Sequence, residues 1–171
     1  TGGLVIIAKN SSSLNSALEL IKNKGIKKFY TCYVKGKMPQ KAEELRAYLI
    51  KDEFKSRVFI DDKKTRDSQE IITRYRVLKY NPEKDISLLE VELVTGRTHQ
   101  IRAHLAHVGH PIIGDGKYGT NAVNRPLGAK QQMLWAYKLV FDFKDGGNLS
   151  YLKGKAIEVE PRFQFNTETV I

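Results

Sequence analysis

Apolar positions along the chain follow two periods, and the period of two dominates. Leu4 to Ala8 is a β-branched apolar run that predicts a buried strand. Asn10-Ser-Ser-Ser then offers helix N-caps, Leu14, Ala17, Leu18 and Ile21 recur at helical spacing, and Gly25 supplies a stop. Between Lys28 and Lys35, Tyr30, Cys32 and Val34 alternate with Phe29, Tyr33 and Lys35, which predicts a strand closed by Gly36 and Pro39. Residues 42–50 fit either period, because Leu45, Tyr48 and Leu49 suit a helix and the segment also reads as extended. The polar stretch from Asp61 to Gln69 predicts an exposed hairpin or loop. Ile71 to Tyr80 and Ser87 to Val94 read as two strands joined around Asn81-Pro82. His99 to Val108 has Ile101, Leu105 and Val108 at helical spacing and ends at Gly109. Pro111 to Tyr118 is glycine-rich and irregular, Gln132 to Phe143 reads as a strand with a break in register, and Ala156 to Val159 as a short last strand. Many strands with two or three helices predict a mixed α+β domain.

Composition narrows the class. A chain of 171 residues suits one domain, and 41% hydrophobic with 28% charged residues excludes wholesale disorder. No run of 18 apolar residues predicts a membrane span. The single cysteine, Cys32, excludes a disulfide framework and fits a reducing compartment. The opening Thr-Gly-Gly has no basic segment before its apolar run, so it is no signal peptide, and it reads as an internal position of a longer protein. The net charge is +10, and residues 1–41 alone carry eight Lys against one acid, Glu19. Such a concentration attracts phosphate backbones, although a solvated surface is the commoner use of it.

All four histidines, His99, His104, His107 and His110, lie within twelve residues, which raises the question of a metal. The cysteine is remote, no HExxH or CxxC pattern occurs, and the one nearby acid, Asp115, lies beyond a proline and a glycine. No metal is therefore expected. No GxSxG elbow, Walker A loop or GxGxxG fingerprint appears, and Gly114-Asp115-Gly116 lacks the spacing of a dinucleotide loop.

The segment Leu93 to Gly119, LVTGRTHQIRAHLAHVGHPIIGDGKYG, closely resembles the signature of the RluA/RluC-type pseudouridine synthases. Three further stretches agree in the right order. TGGLVIIAKN resembles the stretch immediately C-terminal to that family's His-Arg-Leu-Asp motif, and KKFYTCYVKG resembles its K-x-Y-x-A-x-V-x-G strand, with Cys32 at the usual Ala. QMLWAYKLVFDF is similar to its LHAxxLxF segment, with Trp135 at the His. The resemblance spans almost the whole chain.

It implies a pseudouridine-synthase-like fold: a mixed, mainly antiparallel sheet with flanking helices and a central RNA-binding cleft. It also implies isomerisation of uridine in RNA, large-subunit ribosomal RNA before transfer RNA, with no cofactor. Among site residues it names Arg102 as the partner of the nucleophilic carboxylate, Tyr30 as the aromatic beside the flipped base, and Leu134 as the apolar residue that closes the pocket. The candidate RNA contacts are Arg97, Thr98, His99, Gln100, His104, Lys117, Lys28 and Lys35. The nucleophilic aspartate itself is expected just ahead of Thr1, with an S4-like module further upstream where one exists. Asp115 falls in a segment that the resemblance makes structural, so residues 1–171 alone are expected to be inactive. A cytoplasmic monomer without metal is the expected state. The competing readings are a non-catalytic RNA-binding domain and a metal-dependent hydrolase.

Overall fold

The computed structural model describes residues 1–52, 54–125, 127–129 and 131–163. Its centre is an eight-stranded sheet. In chain order the strands are β1 (Gly2–Gly3), β2 (Ile26–Lys35), β3 (Ala42–Asp52), β4 (Arg57–Asp61), β5 (Gln69–Asn81), β6 (Ile86–Leu93), β7 (Leu134–Phe141) and β8 (Ala156–Glu158). They lie side by side as β1-β7-β2-β6-β5-β3-β4, and β8 also pairs with β7. β1 and β7 run parallel, and every other pairing is antiparallel. Helices α1 (Ser11–Lys22), α2 (Gln100–His107) and the short α3 (Asn121–Asn124) flank the sheet, with a 3-10 helix at Gly147–Leu152. This is the mixed, mainly antiparallel α+β architecture that the sequence predicts. None of the described helices is long and apolar enough to cross a membrane.

The main core lies where β2, β5 and β6 meet α2 and the segment after it. Cys32, Val34, Leu89, Val91 and Leu105 are fully buried there, together with Ile112 and Ile113. Burial pushes the Cys32 thiol well above its ordinary range, so it stays protonated and unreactive. A smaller core under α1 joins Ala17 and Leu20 to Ile26, Leu139 and Phe141.

Several expectations need correction. Leu4 to Ala8 forms no ladder; its first residue donates one backbone hydrogen bond, Leu4 N–H to Ala136 O at 2.8 Å. Val5 and Ile7 are 78% and 82% exposed, while Leu4 and Ile6 line a groove against β2 and β7. The hydrophobic run is present, but only one of its two faces finds a neighbour among the described residues. In α1 the buried face is Ala17 and Leu20, and Leu14, Leu18 and Ile21 are exposed. The cap is as expected: Asn10 accepts the Ser13 N–H at 2.8 Å.

The ambiguous 42–50 segment is the strand β3, because β4 and β5 pair with its two edges and so fix it as extended. The expected break in register of the Gln132 to Phe143 strand also exists. It sits on β7: Phe29 pairs with Lys138 and the next residue, Tyr30, with Ala136, so Tyr137 is the extra residue of the β2–β7 pairing. An irregularity of this kind re-aims the side chains next to it.

Candidate RNA-modification site

The site is assembled where β2, β7 and the start of α2 converge. Thr95, Gly96, Arg97 and Thr98 lead from β6 into α2, and His99 adopts a left-handed backbone, φ 55°, just before the helix. That conformation is uncommon for a residue with a Cβ. Gln100 holds the turn from beneath. It is buried, its Oε1 accepts from Thr95 Oγ1 and Arg97 N–H, and its Nε2 donates to Ile72 O and Thr73 Oγ1. All of its hydrogen-bonding capacity is thus spent on the protein.

From α2, Arg102 projects onto Asp115. Nε and Nη2 donate to the two carboxylate oxygens at 2.7 and 2.8 Å, a bidentate pair. Asp115 is wholly buried and also accepts the backbone N–H groups of Lys117 and Tyr118. Burial alone would raise its carboxyl pKa, but hydrogen bonds from Arg102 and from those two amides outweigh it and hold the pKa below the usual value. The same pair raises the pKa of Arg102, so its charge is permanent. Asn124 stiffens the loop, accepting Gly114 N–H and donating to Asp115 O.

Tyr118 completes the frame. Arg102 and Arg57 stand over its ring at 5.2 and 5.1 Å. Its hydroxyl accepts Val58 N–H at 3.0 Å and is hydrogen-bonded to His99 Nδ1 at 3.0 Å. Burial, with Arg102 and Lys117 nearby, lowers the His99 pKa, so the ring is neutral near pH 7.

Tyr30, Arg102 and Leu134, the three residues named as catalytic, line one cavity of about 250 Å³ with Thr1, Arg97 and His99. Burial raises the Tyr30 phenol, so it is un-ionised at neutral pH. No carboxylate lines this cavity among the described residues; Asp115 sits behind Arg102.

Residues 1–107 match the family model described as RNA pseudouridylate synthase. The chain belongs to the RNA pseudouridylate synthase family. It is 35% identical over 149 residues to an uncharacterized RNA pseudouridine synthase of Aquifex aeolicus, covering 82% of this chain and 45% of that protein. It is 33% identical over 159 residues to the ribosomal large subunit pseudouridine synthase C of Buchnera aphidicola, covering 90% and 49%. The chain therefore spans about half the length of these relatives. In fold it is similar to human RNA pseudouridylate synthase domain containing 1, with a TM-score of 0.69 and 20% identity over 95% of this chain and 71% of that one.

The remaining expected contacts of this family member divide. Arg97 and Thr98 are exposed, and Arg97 lines the cavity. Lys28 is half-buried two residues before Tyr30, close against Gly96, and burial lowers its pKa. Lys117 donates to Ser56 O at 2.7 Å, which ties it to the loop before β4. Three candidates present no free side chain at the exposed rim. His104 is 1% exposed and bonded to Thr73, so it has no surface for RNA. Gln100 is likewise a buried support. Lys35 lies five residues along β2 from Tyr30 and is ion-paired to Asp85 at 3.1 Å, outside the cavity. The four histidines do not converge: His107 bonds Asp62, and His110 bonds Lys35 O. Sequence reasoning missed Asp115 as the partner of Arg102 and Tyr118 as the partner of His99. Thirteen and nineteen residues separate these pairs, and no local spacing announces them.

Proposed function

We propose that this chain is the catalytic core of an enzyme that converts uridine to pseudouridine in RNA. The observation that carries the reading is the convergence of Tyr30, Arg102 and Leu134 on one cavity, in a chain of this family. The reaction breaks the bond between N1 of uracil and C1′ of ribose. It then joins C5 to C1′, with the C5 proton lost to solvent and a proton gained at N1. Nothing is oxidised or reduced, so no redox cofactor enters.

The target base must leave its stack to reach such a cavity. Tyr30 offers it a ring, Leu134 excludes water, and Arg97 and Lys28 meet flanking phosphates. A carboxylate facing the base is also needed. We place it ahead of Thr1, where it would use the Arg102 donors that Asp115 leaves unoccupied. Arg102 would thus hold two carboxylates, one structural and one reactive. The reading makes the enzyme a cytoplasmic monomer that needs no metal.

The relative named as a large-subunit enzyme supports ribosomal RNA as the substrate, before transfer RNA. Pseudouridine maps of both RNAs from cells with and without the gene test this. Loss of one or a few sites in large-subunit RNA is expected. Loss confined to transfer RNA would move the substrate, and unchanged maps would contradict the proposal.

A further inference from the structure

Tyr118 does not line the cavity of Tyr30 and Leu134, yet it touches two residues that do, Arg102 and His99. The Arg102 guanidinium stands over its ring, 5.2 Å from the centroid. The His99 ring meets it edge-on at 5.7 Å, with Nδ1 hydrogen-bonded to the Tyr118 hydroxyl. One side chain thus holds one site residue by its ring and another by its oxygen.

Tyr118 is itself anchored on two sides. Its backbone N–H donates to Asp115 at 3.0 Å, the same carboxylate that takes Arg102. Its hydroxyl accepts Val58 N–H from β4, and the preceding Lys117 donates to Ser56 O at 2.7 Å. Arg57, between those two anchors, stands over the same ring at 5.1 Å. Ser56 has a left-handed backbone, φ 47°, as His99 does at 55°. Such conformations persist where the surrounding structure over-determines them. Here the contacts of Lys117 and Tyr118 bracket the first residue and bind the second.

The geometry matters for Arg102. Asp115 takes Nε and Nη2, which fixes one edge of the guanidinium. An edge so fixed can still tilt about its own line, and an aromatic ring beside the plane restricts that tilt. The donors that Asp115 leaves unoccupied then keep one direction.

We propose that Tyr118 is a positioning residue for uridine isomerisation: its ring aims the outer donors of Arg102, and its hydroxyl seats His99 and ties both to β4. The proposal rests on the function proposed above and adds to it a residue outside the cavity. It makes Tyr118 act on turnover and not on RNA affinity.

The test measures tritium release from large-subunit ribosomal RNA carrying 5-tritiated uridine, using the whole protein. Tyr118→Phe keeps the ring and loses the hydroxyl; Tyr118→Met fills much of the space and loses both. Circular dichroism verifies the fold of each. Tyr118→Phe should lower kcat by about tenfold, the scale of one hydrogen bond. Tyr118→Met should lower it by about 100-fold, the scale of a misplacement of about 1 Å. KM should stay near the wild-type value in both, so the phenylalanine restores part of what the methionine loses. Wild-type kcat in Tyr118→Phe, equal losses in the two variants, or a loss that appears in KM would overturn the positioning role while leaving the isomerase reading intact. Should Tyr118→Met not fold, kcat and KM of Tyr118→Phe decide. Absence of release by wild type would remove the isomerase reading and the positioning role with it.

Discussion

Arg102 is held by Asp115 before any substrate arrives, and that pairing sets what the residue can do. A partly buried guanidinium paired with a wholly buried counter-ion keeps its orientation. Removing one partner of a buried pair leaves an uncompensated charge, so Asp115→Asn should cost about 3 kcal/mol in urea unfolding at pH 7. The native Asp115 pKa is lowered, so its contribution is complete above the unfolded value and fades as pH falls through the folded one. The gap between wild type and Asp115→Asn should therefore close in acid, below about pH 4. His104 works with the opposite chemistry and the same direction. Burial, aided by His107, depresses its pKa to about 4. The unfolded chain binds a proton there from about pH 6.5 downward while the native chain does not. Between pH 7.5 and 5 this should remove about 2 kcal/mol of stability, and His104→Gln should flatten that dependence. Tyr30, Arg102 and Leu134 were singled out because each stands in a stretch that resembles a family motif, and the fold brings them to one cavity. Asp115 as the anchor of Arg102 was not, since the contact exists only once α2 packs on the 114–119 loop.

Most strands and both longer helices could be read from periodicity, and where the reading failed the reason is tertiary. The run Leu4 to Ala8 has strand composition, yet a strand needs edge partners, and the described residues offer Leu4 a single bond. In α1 the helical spacing was right but the stripe was rotated, because Leu20 and Ala17 meet β7 while Leu14 and Leu18 do not. The ambiguous β3 was decided by neighbours on both edges. These corrections predict a contrast in unfolding experiments on this chain. Ile7→Thr should change stability by no more than about 0.5 kcal/mol, whereas Leu20→Ala should cost about 2–4 kcal/mol. At the β1–β7 pairing, Gly3 has φ 101°, and a Cβ there would lie 2.0 Å from Ala136 O. Gly3→Ala should therefore cost about 2 kcal/mol or more and move Thr1 away from the cavity that it lines with Tyr30 and Arg102.

Over the whole molecule, the net charge of +10 first suggested only an anionic partner. The fold refines that. On the sheet, Glu44, Glu90 and Glu92 are taken up by Arg74 and Arg76 in cross-strand pairs, so these acids oppose local arginines. Lys28 and Arg97, at the site, have no such partners among the described ion pairs. The sequence could show the charge, but the partition between paired and available cations needed the register of β3, β5 and β6. The central claim is that Arg102 and Tyr30 serve uridine isomerisation, and release of tritium from RNA carrying 5-tritiated uridine measures that step directly. With the whole protein, wild type should release tritium from large-subunit ribosomal RNA. Arg102→Ala should lower the rate by about 100-fold or more, the scale of losing a preorganised charge in a reaction site, with RNA binding retained. No release from any cellular RNA by wild type, or undiminished release by Arg102→Ala, would contradict the account.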